Sequence, residues 1–253
     1  MNKQLKTNNN SRIDEYLKML TLHKIGEIYK VESEKAAKAK LGYTDYLEKL
    51  LEEQVLTKIE RSINRKMQIA AFPQIKRLEE FDFSFQPQIN EKLIKELSNL
   101  NFLETGKNVL FLGPPGVGKT HLAIALGIKA IEQRRRVLFY SAEKLTEELA
   151  AAEVSGTLNK KLESLARLDL LIIDELGYLS LNKLTAKLFF QLVSKRYERG
   201  SIVITSNKPF EDWGEIFNDE VVASAILDRM LHHSYPFFIN GKSFRLKNMT
   251  EFD

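Results

Sequence analysis

The chain has 253 residues, 43% of them hydrophobic, with 38 lysines and arginines against 34 aspartates and glutamates for a net charge of +4. That is enough apolar material for one large domain and a smaller one. The lack of cysteine excludes disulfides, thiolate metal centres and cysteine nucleophiles, and with no apolar leader or membrane-length apolar run a cytoplasmic, membrane-free protein is expected.

The basic excess is N-terminal: residues 1–78 hold 16 Lys/Arg against 10 Asp/Glu, leaving 22 against 24 for the remainder. Such asymmetry suits a nucleic-acid backbone and equally a solvated helical surface. Residues 1–10 are polar and Asn-rich and are expected to lack structure. Residues 11–70 read as a small all-helical domain with turns at Gly26 and Gly42. Its clearest helix follows Thr44, a candidate N-cap, and spaces Leu47, Leu51, Val55, Ile59, Ile63 and Met67 four apart as a core stripe or a partner-facing surface. Lys58, Arg61 and Arg65 recur on another face and are candidate contacts to a phosphate backbone.

Residues 71–87 lose the helical period between Pro73 and Pro87 and read as a linker, in which Phe81, Phe83 and Phe85 alternate as a docking arm would. The remaining domain, 88–253, alternates short apolar runs with helical segments. The runs are "NVLFLG", "RVLFYS", "LDLLIIDE", "SIVITSN" and "YPFFIN". Five such strands with crossover helices predict a doubly wound α/β fold on a parallel sheet, with ligands at the carboxyl ends of the strands.

"GPPGVGKT" matches the G-x-x-x-x-G-K-[ST] phosphate-binding loop and stands between a strand and a helix, as that loop requires. Gly113, Pro114, Pro115, Gly116, Val117, Gly118, Lys119, Thr120 and the adjacent His121 are therefore candidate ATP contacts, with Lys119 for the β and γ phosphates and the Thr120 hydroxyl for Mg²⁺. The strand "LLIIDE" ends in Asp174, a second Mg²⁺ ligand by expectation, and Glu175, suited to activating a water against the γ phosphate. Asn207, at the end of the next strand, is a candidate for holding that water, and a turn-forming role competes. For His121, His232 and His233 structural roles are expected over metal binding, and Trp213 and Phe217 read as a packed helix face.

In order, "FPQIKRLEEFDF", "GPPGVGKTHLAIALG", "LLIIDELGYL", "VITSNKPFEDW" and "ILDRMLHHS" resemble the AAA+ ATPases, and in detail the IstB-type transposition helpers of the DnaC/IstB branch. The resemblance spans residues 11–250. It implies an AAA+ ATPase core and an arginine finger at Arg229, which would reach the nucleotide of a neighbouring subunit, where a helix-end ion pair with Asp228 is the competing role. It also implies a homo-oligomer, a cognate transposase as partner and an added helix between the second and third strands facing DNA, where Lys144, Lys160, Lys161 and Arg167 are the candidate contacts. That stretch has no aromatic residue, which favours duplex DNA gripped by its backbone with little regard to sequence over a stacked single strand. The chain departs from most AAA+ proteins in leaving no room for a C-terminal helical lid, so the lid-borne contact is unassigned and Lys242 and Arg245 are the basic residues left there. A helicase loader acting on single strands is the alternative, and a small-molecule kinase on the same loop a more distant one.

Overall fold

The computed structural model describes residues 5–249, and side chains over residues 12–246. Two compact units make up the chain, the first ending at Arg65 and the second starting at Lys66. The first unit contains α1 (Leu5–Met19), α2 (His23–Ala39) and most of α3 (Tyr43–Ala70). The stretch expected to lack structure lies partly outside the described residues, but from Leu5 onward it is helical. Once the following turns form, each further residue adds a hydrogen bond without a new nucleation cost.

Helix α3 starts at Tyr43, where the Gly42 carbonyl accepts the Tyr46 N–H at 3.1 Å, so Thr44 lies inside the first turn and does not cap it. Its buried side also differs from the expected stripe. Leu50 and Gln54 face inward, against Ile25 and Tyr29, while Leu47, Leu51 and Val55 are exposed. The reason is polar: Gln54 Oε1 accepts the backbone N–H groups of Lys24 and Ile25 at 3.0 and 3.3 Å, supplying a partner to amides at the start of α2 that no intrahelical carbonyl can reach. Lys58, Arg61 and Arg65 are all exposed.

The second unit begins inside α3, so the boundary precedes the expected linker. Residues 71–87 form no strand and contain one 3₁₀ turn, Leu78–Glu80. They pack on the second unit: Phe72 meets Phe139 edge-on with ring centres 6.2 Å apart, and Phe81 meets His121 at 5.2 Å. After α4 (Glu91–Leu97) and α5 (Asn101–Glu104) come β1 (Asn108–Leu112), α6 (Lys119–Glu132), β2 (Val137–Ser141), α7 (Ala142–Val154), α8 (Leu158–Ala166), β3 (Leu170–Leu176), α9 (Lys183–Arg196), β4 (Ser201–Ser206), α10 (Trp213–Phe217), α11 (Glu220–Leu231) and β5 (Ser234–Phe238).

All five strands are parallel, in the order β2-β3-β4-β1-β5. β1 and β4 are buried along their whole length, which is why they read as unbroken apolar runs, whereas the edge strand β5 buries little but Phe237. The chain leaves β1 for the far edge, returns through β3 and β4, and adds β5 on the other side of β1. That reversal gathers the carboxyl ends of β3, β4, β1 and β5 into one crevice, the usual ligand position of such sheets. Two helices, α7 and α8, join β2 to β3 as expected. Trp213 and Phe217 are fully buried with ring centres 6.0 Å apart. No helix among the described residues is long and apolar enough to cross a membrane.

At the opposite end of the sheet the buried guanidinium of Arg196 donates to the carbonyls of Leu165, Leu168 and Ser201, tying the end of α8 to the start of β4. Burial pushes its pKa down to about 10. Three carbonyls depend on it, so Arg196→Met is expected to lower the unfolding free energy by about 3 kcal/mol, read from urea denaturation; a change under about 0.5 kcal/mol contradicts this role.

Candidate nucleotide site

The loop 113–118 leaves β1 at Leu112 and enters α6 at Lys119. Gly113 and Gly116 adopt positive φ of 147° and 84°. A Cβ on the first would strike the Ile239 carbonyl and on the second the Ser243 side chain, so neither position admits another residue as it stands. Val117 is buried beneath the loop and Pro114 and Pro115 are exposed on it. The largely buried Lys119 Nζ donates to the carbonyls of Gly113 and Pro114 at 2.7 and 2.8 Å. Burial lowers its pKa, and the nearby Asp174 carboxylate partly opposes this.

Asp174 Oδ1 accepts two hydroxyls, Thr120 Oγ1 at 2.8 Å and Thr205 Oγ1 at 2.5 Å. Thr205 in turn accepts the Glu175 N–H at 2.9 Å. The carboxyl is only 6% exposed, and burial raises its pKa although the hydroxyls and Lys119 pull it the other way. Immediately after it the register between β3 and β4 slips, between Ile173 and Leu176, and Glu175 takes a left-handed φ of 62°. This bulge turns Asp174 toward Thr120 while leaving Glu175 exposed, at a backbone cost of about 1–2 kcal/mol. Beside them, the Asn207 Oδ1 is buried without a hydrogen-bond partner.

The first turn of α6 and the ends of β3 and β4 thus bring together Lys119, Thr120, Asp174, Glu175 and Asn207. A hydroxyl and a carboxylate, both hard oxygen donors, meet beside a buried ammonium and a buried amide oxygen still lacking a partner, a donor set that fits a phosphate-bound divalent ion. His121 does not join them: its Nε2 lies 2.7 Å from the Arg77 carbonyl and its ring is against Phe81, because the first turn of α6 faces it toward residues 71–87. Thr205 was legible only as one polar residue at a strand end, and its bridging role depends on the β3–β4 pairing.

Arg229 is elsewhere. Its Nη1 donates to the Ala225 carbonyl at 3.0 Å, and its guanidinium lies 4.7 Å from the centre of the Phe190 ring. It has no ion-pair partner among the described residues, so the competing pair with Asp228 is absent. It shares a small cavity with Asn108 and Ile202, near the amino ends of β1 and β4, whereas the phosphate loop leaves the carboxyl end of β1. His233 lines the same cavity, and His232, His233 and Glu198 cluster there. Tyr197 OH lies 2.9 Å from His232 Nδ1. Of the candidate DNA contacts between β2 and β3, Lys144, Lys160 and Arg167 are exposed. Lys161 is not free: it pairs with Glu148 and donates to Tyr140 OH at 3.0 Å, because both stand across from it on α7 and β2.

A family model for IstB-like ATP binding proteins matches residues 15–251. The chain belongs to the IstB-like family. A Pseudomonas aeruginosa protein described as an ATP-binding protein of insertion sequence IS21 is 48% identical over 221 residues, 87% of this chain and 83% of its own length. The corresponding protein of insertion sequence IS5376 from Geobacillus stearothermophilus is 42% identical over 236 residues, 93% and 94% of the two chains. Among solved structures, AMPPCP-bound DnaA from Aquifex aeolicus has a TM-score of 0.56 at 24% identity over 72% of this chain and 55% of that one. The DnaC helicase loader has a TM-score of 0.50 at 23% identity over 59% and 87%. These two likenesses show the fold alone, and as a member of the IstB-like family this chain is an ATP-binding ATPase of the insertion-sequence type.

Because burial raises the Asp174 pKa, the folded protein holds that proton more tightly than the unfolded chain, and the ionised carboxylate costs stability once pH passes the folded value. Asp174→Asn keeps an oxygen for both hydroxyls. Calorimetry at about pH 7.5 is expected to give a melting temperature equal to or above the parent's, with the advantage vanishing below about pH 4, where the unfolded carboxyl is also protonated. A melting temperature several degrees lower at neutral pH contradicts the account.

Proposed function

We propose that this ATPase is a DNA-binding helper of transposition: it oligomerises on duplex target DNA in its ATP state, deforms that DNA and recruits or stimulates a transposase, in the cytoplasm. The observation that carries the reading is the separation of Arg229 from the phosphate loop across the length of the sheet. A guanidinium without a carboxylate partner, remote from its own subunit's nucleotide, suits the spread charge of a phosphoryl group in a neighbouring subunit. Hydrolysis at the interface follows, and an isolated subunit turns over ATP slowly.

In that reading the backbone N–H groups of Gly116, Val117 and Gly118 and the Lys119 amine bind the phosphates, and Thr120 and Asp174 would hold Mg²⁺, which would neutralise phosphate charge when bound. Glu175 orients a water toward the γ phosphorus and takes its proton as the new P–O bond forms and the bond to the β-phosphate oxygen breaks. Asn207 fixes that water through its unpartnered Oδ1. The sharp turn of the chain at Glu175 favours this division of labour, since two successive carboxylates must face different partners.

On the DNA side Lys58, Arg61 and Arg65 in the first unit and Lys144, Lys160 and Arg167 in the second contact backbone phosphates, giving strong salt dependence with little sequence preference. Lys161, engaged by Glu148, drops out of the set. Bending several turns of duplex costs a few kcal/mol, which many phosphate contacts offset, and a preformed bend is a target a transposase can use.

The test is a titration of a duplex of about six helical turns and of the matching single strand, with Mg²⁺ and with or without ATP, following particle size by light scattering. Duplex preference, with large particles only in ATP, is expected. Alanine at Lys160 and Arg167 together should flatten the slope of log affinity against log salt by about 2. Preference for the single strand would instead assign the chain to helicase loading.

A further inference from the structure

At the end of the sheet where β1 and β4 begin, two turns carry side chains that the nucleotide site leaves unused. Glu198 stands between α9 and β4, and His232 and His233 stand between α11 and β5. One ligand atom from each of the three lies within 4.8 Å of the other two, and all three side chains are exposed.

Consecutive side chains on a regular helix point about 100° apart, which keeps a pair of adjacent histidines from serving one ligand. Here the helix stops between them. His232 is the C-cap of α11 and His233 already leads into β5, and their ring centres come to 4.1 Å. Both backbones are fixed: the His232 N–H donates to the Asp228 carbonyl at 3.1 Å, and the His233 carbonyl accepts the Asn108 N–H at 2.8 Å. The Tyr197 hydroxyl, 2.9 Å from His232 Nδ1, sets the plane of that ring. Glu198 takes a left-handed φ of 57°, a conformation glycine would adopt more readily, and Gly106 packs so closely on it that a Cβ there would lie 3.4 Å from the Glu198 carbonyl carbon. The turn that presents the carboxylate is thus held against local preference.

His233 Nε2 and Glu198 Oε1 are 4.0 Å apart, too far for a hydrogen bond. An ion bound at about 2.0–2.1 Å holds neighbouring ligand atoms of a tetrahedron about 3.4 Å apart, so each atom of the cluster has less than about 1 Å to move. Two imidazoles and one carboxylate are a ligand set for Zn²⁺ and its transition-metal neighbours, whereas Mg²⁺ and Ca²⁺ take oxygen. The cations nearby are engaged elsewhere: Arg196 donates to three carbonyls, and the Arg229 guanidinium lies against the Phe190 ring. Among the described residues no lysine or arginine pairs with Glu198.

We propose that Glu198, His232 and His233 bind one divalent transition-metal ion of the Zn²⁺ class, with water completing its coordination. The ion clasps the turn after α9 to the end of α11, and Tyr197 is a positioning residue that acts through His232. Affinity is moderate, because three exposed side chains give up rotamer freedom on binding. The site lies apart from the phosphate loop and depends on neither the nucleotide reading nor the role given to Arg229.

The experiment titrates the full chain, free of any polyhistidine tag and of nucleotide, with Co²⁺ and then Zn²⁺ in excess Mg²⁺, so that oxygen-only sites do not enter. One Co²⁺ per chain is expected, with the stronger visible absorption of a low-coordinate, nitrogen-ligated ion, and Zn²⁺ should displace it. Zn²⁺ should also raise the melting temperature by a few degrees. Glu198→Gln and His233→Ala should each weaken Zn²⁺ binding by at least about tenfold and abolish that rise, and Tyr197→Phe should weaken it on the order of tenfold. His23→Ala, in the first unit, should bind as the parent does. Because the cluster is exposed, Glu198→Gln and His233→Ala should melt with the parent when metal is absent, which separates lost binding from lost fold. Co²⁺ that keeps the spectrum of the hydrated ion, or Zn²⁺ uptake unchanged in both variants, overturns the assignment. Uptake that falls in His23→Ala instead also overturns it.

Discussion

One oxygen of Asp174 takes hydroxyl hydrogen bonds from Thr120 and Thr205 at once, and the geometry of the whole site is set by that junction. Thr120 belongs to the first turn after the phosphate loop, Asp174 to the end of β3 and Thr205 to the end of β4, so three elements distant in sequence are locked to one carboxylate. For them to meet, β4 must lie between β3 and β1 and the strands must run parallel. The strand order and the hydrogen-bond network are two descriptions of the same constraint.

The junction is held against local preference. A carboxylate and an ammonium are both largely withdrawn from water, each shifted toward its neutral form by burial, and Glu175 sits in a left-handed conformation that a glycine would adopt more readily. The surrounding core, with Phe189, Phe217 and Trp213 fully buried on one side of the sheet, supplies the stability that offsets these terms. Strain of this kind has a direct consequence: two successive acidic side chains can face opposite ways only if the strand breaks its register between them. Around the junction, Lys119 satisfies itself on loop carbonyls and the Gly116 carbonyl accepts the Phe244 N–H, so the loop is held from both sides.

The five strands and the phosphate loop were legible in the sequence because each rests on local signals: apolar runs covered on both faces, and glycines at a fixed spacing before Lys119. Asp174 and Glu175 were legible as a pair, but their opposite orientations were not, since a register slip is a property of two strands together. The role of Thr205 was hidden for the same reason. The partners of His121 and Lys161 were not legible, because proximity in sequence to a motif, or positive charge alone, says nothing of the Arg77 carbonyl or the Glu148 carboxylate that engages each. The α3 stripe misled through period: its apolar residues repeat every four positions, yet Gln54, a polar residue bonded to two amides of α2, decides which side turns inward. The path of residues 239–246 was not legible, because it is set by Gln86, Leu112 and Gly116, all distant in sequence.

In the proposed function, hydrolysis is a property of a pair of subunits, one holding the nucleotide at Lys119, Thr120 and Asp174 and the other presenting Arg229. The most direct measurement is ATP turnover on duplex DNA in mixtures of Arg229→Ala and Lys119→Ala proteins, each inactive alone. Interfaces in which an intact loop meets an intact arginine form only in the mixture, so turnover should appear and peak near equal proportions. Mixtures as inactive as their components, or an Arg229→Ala protein fully active by itself, would contradict it.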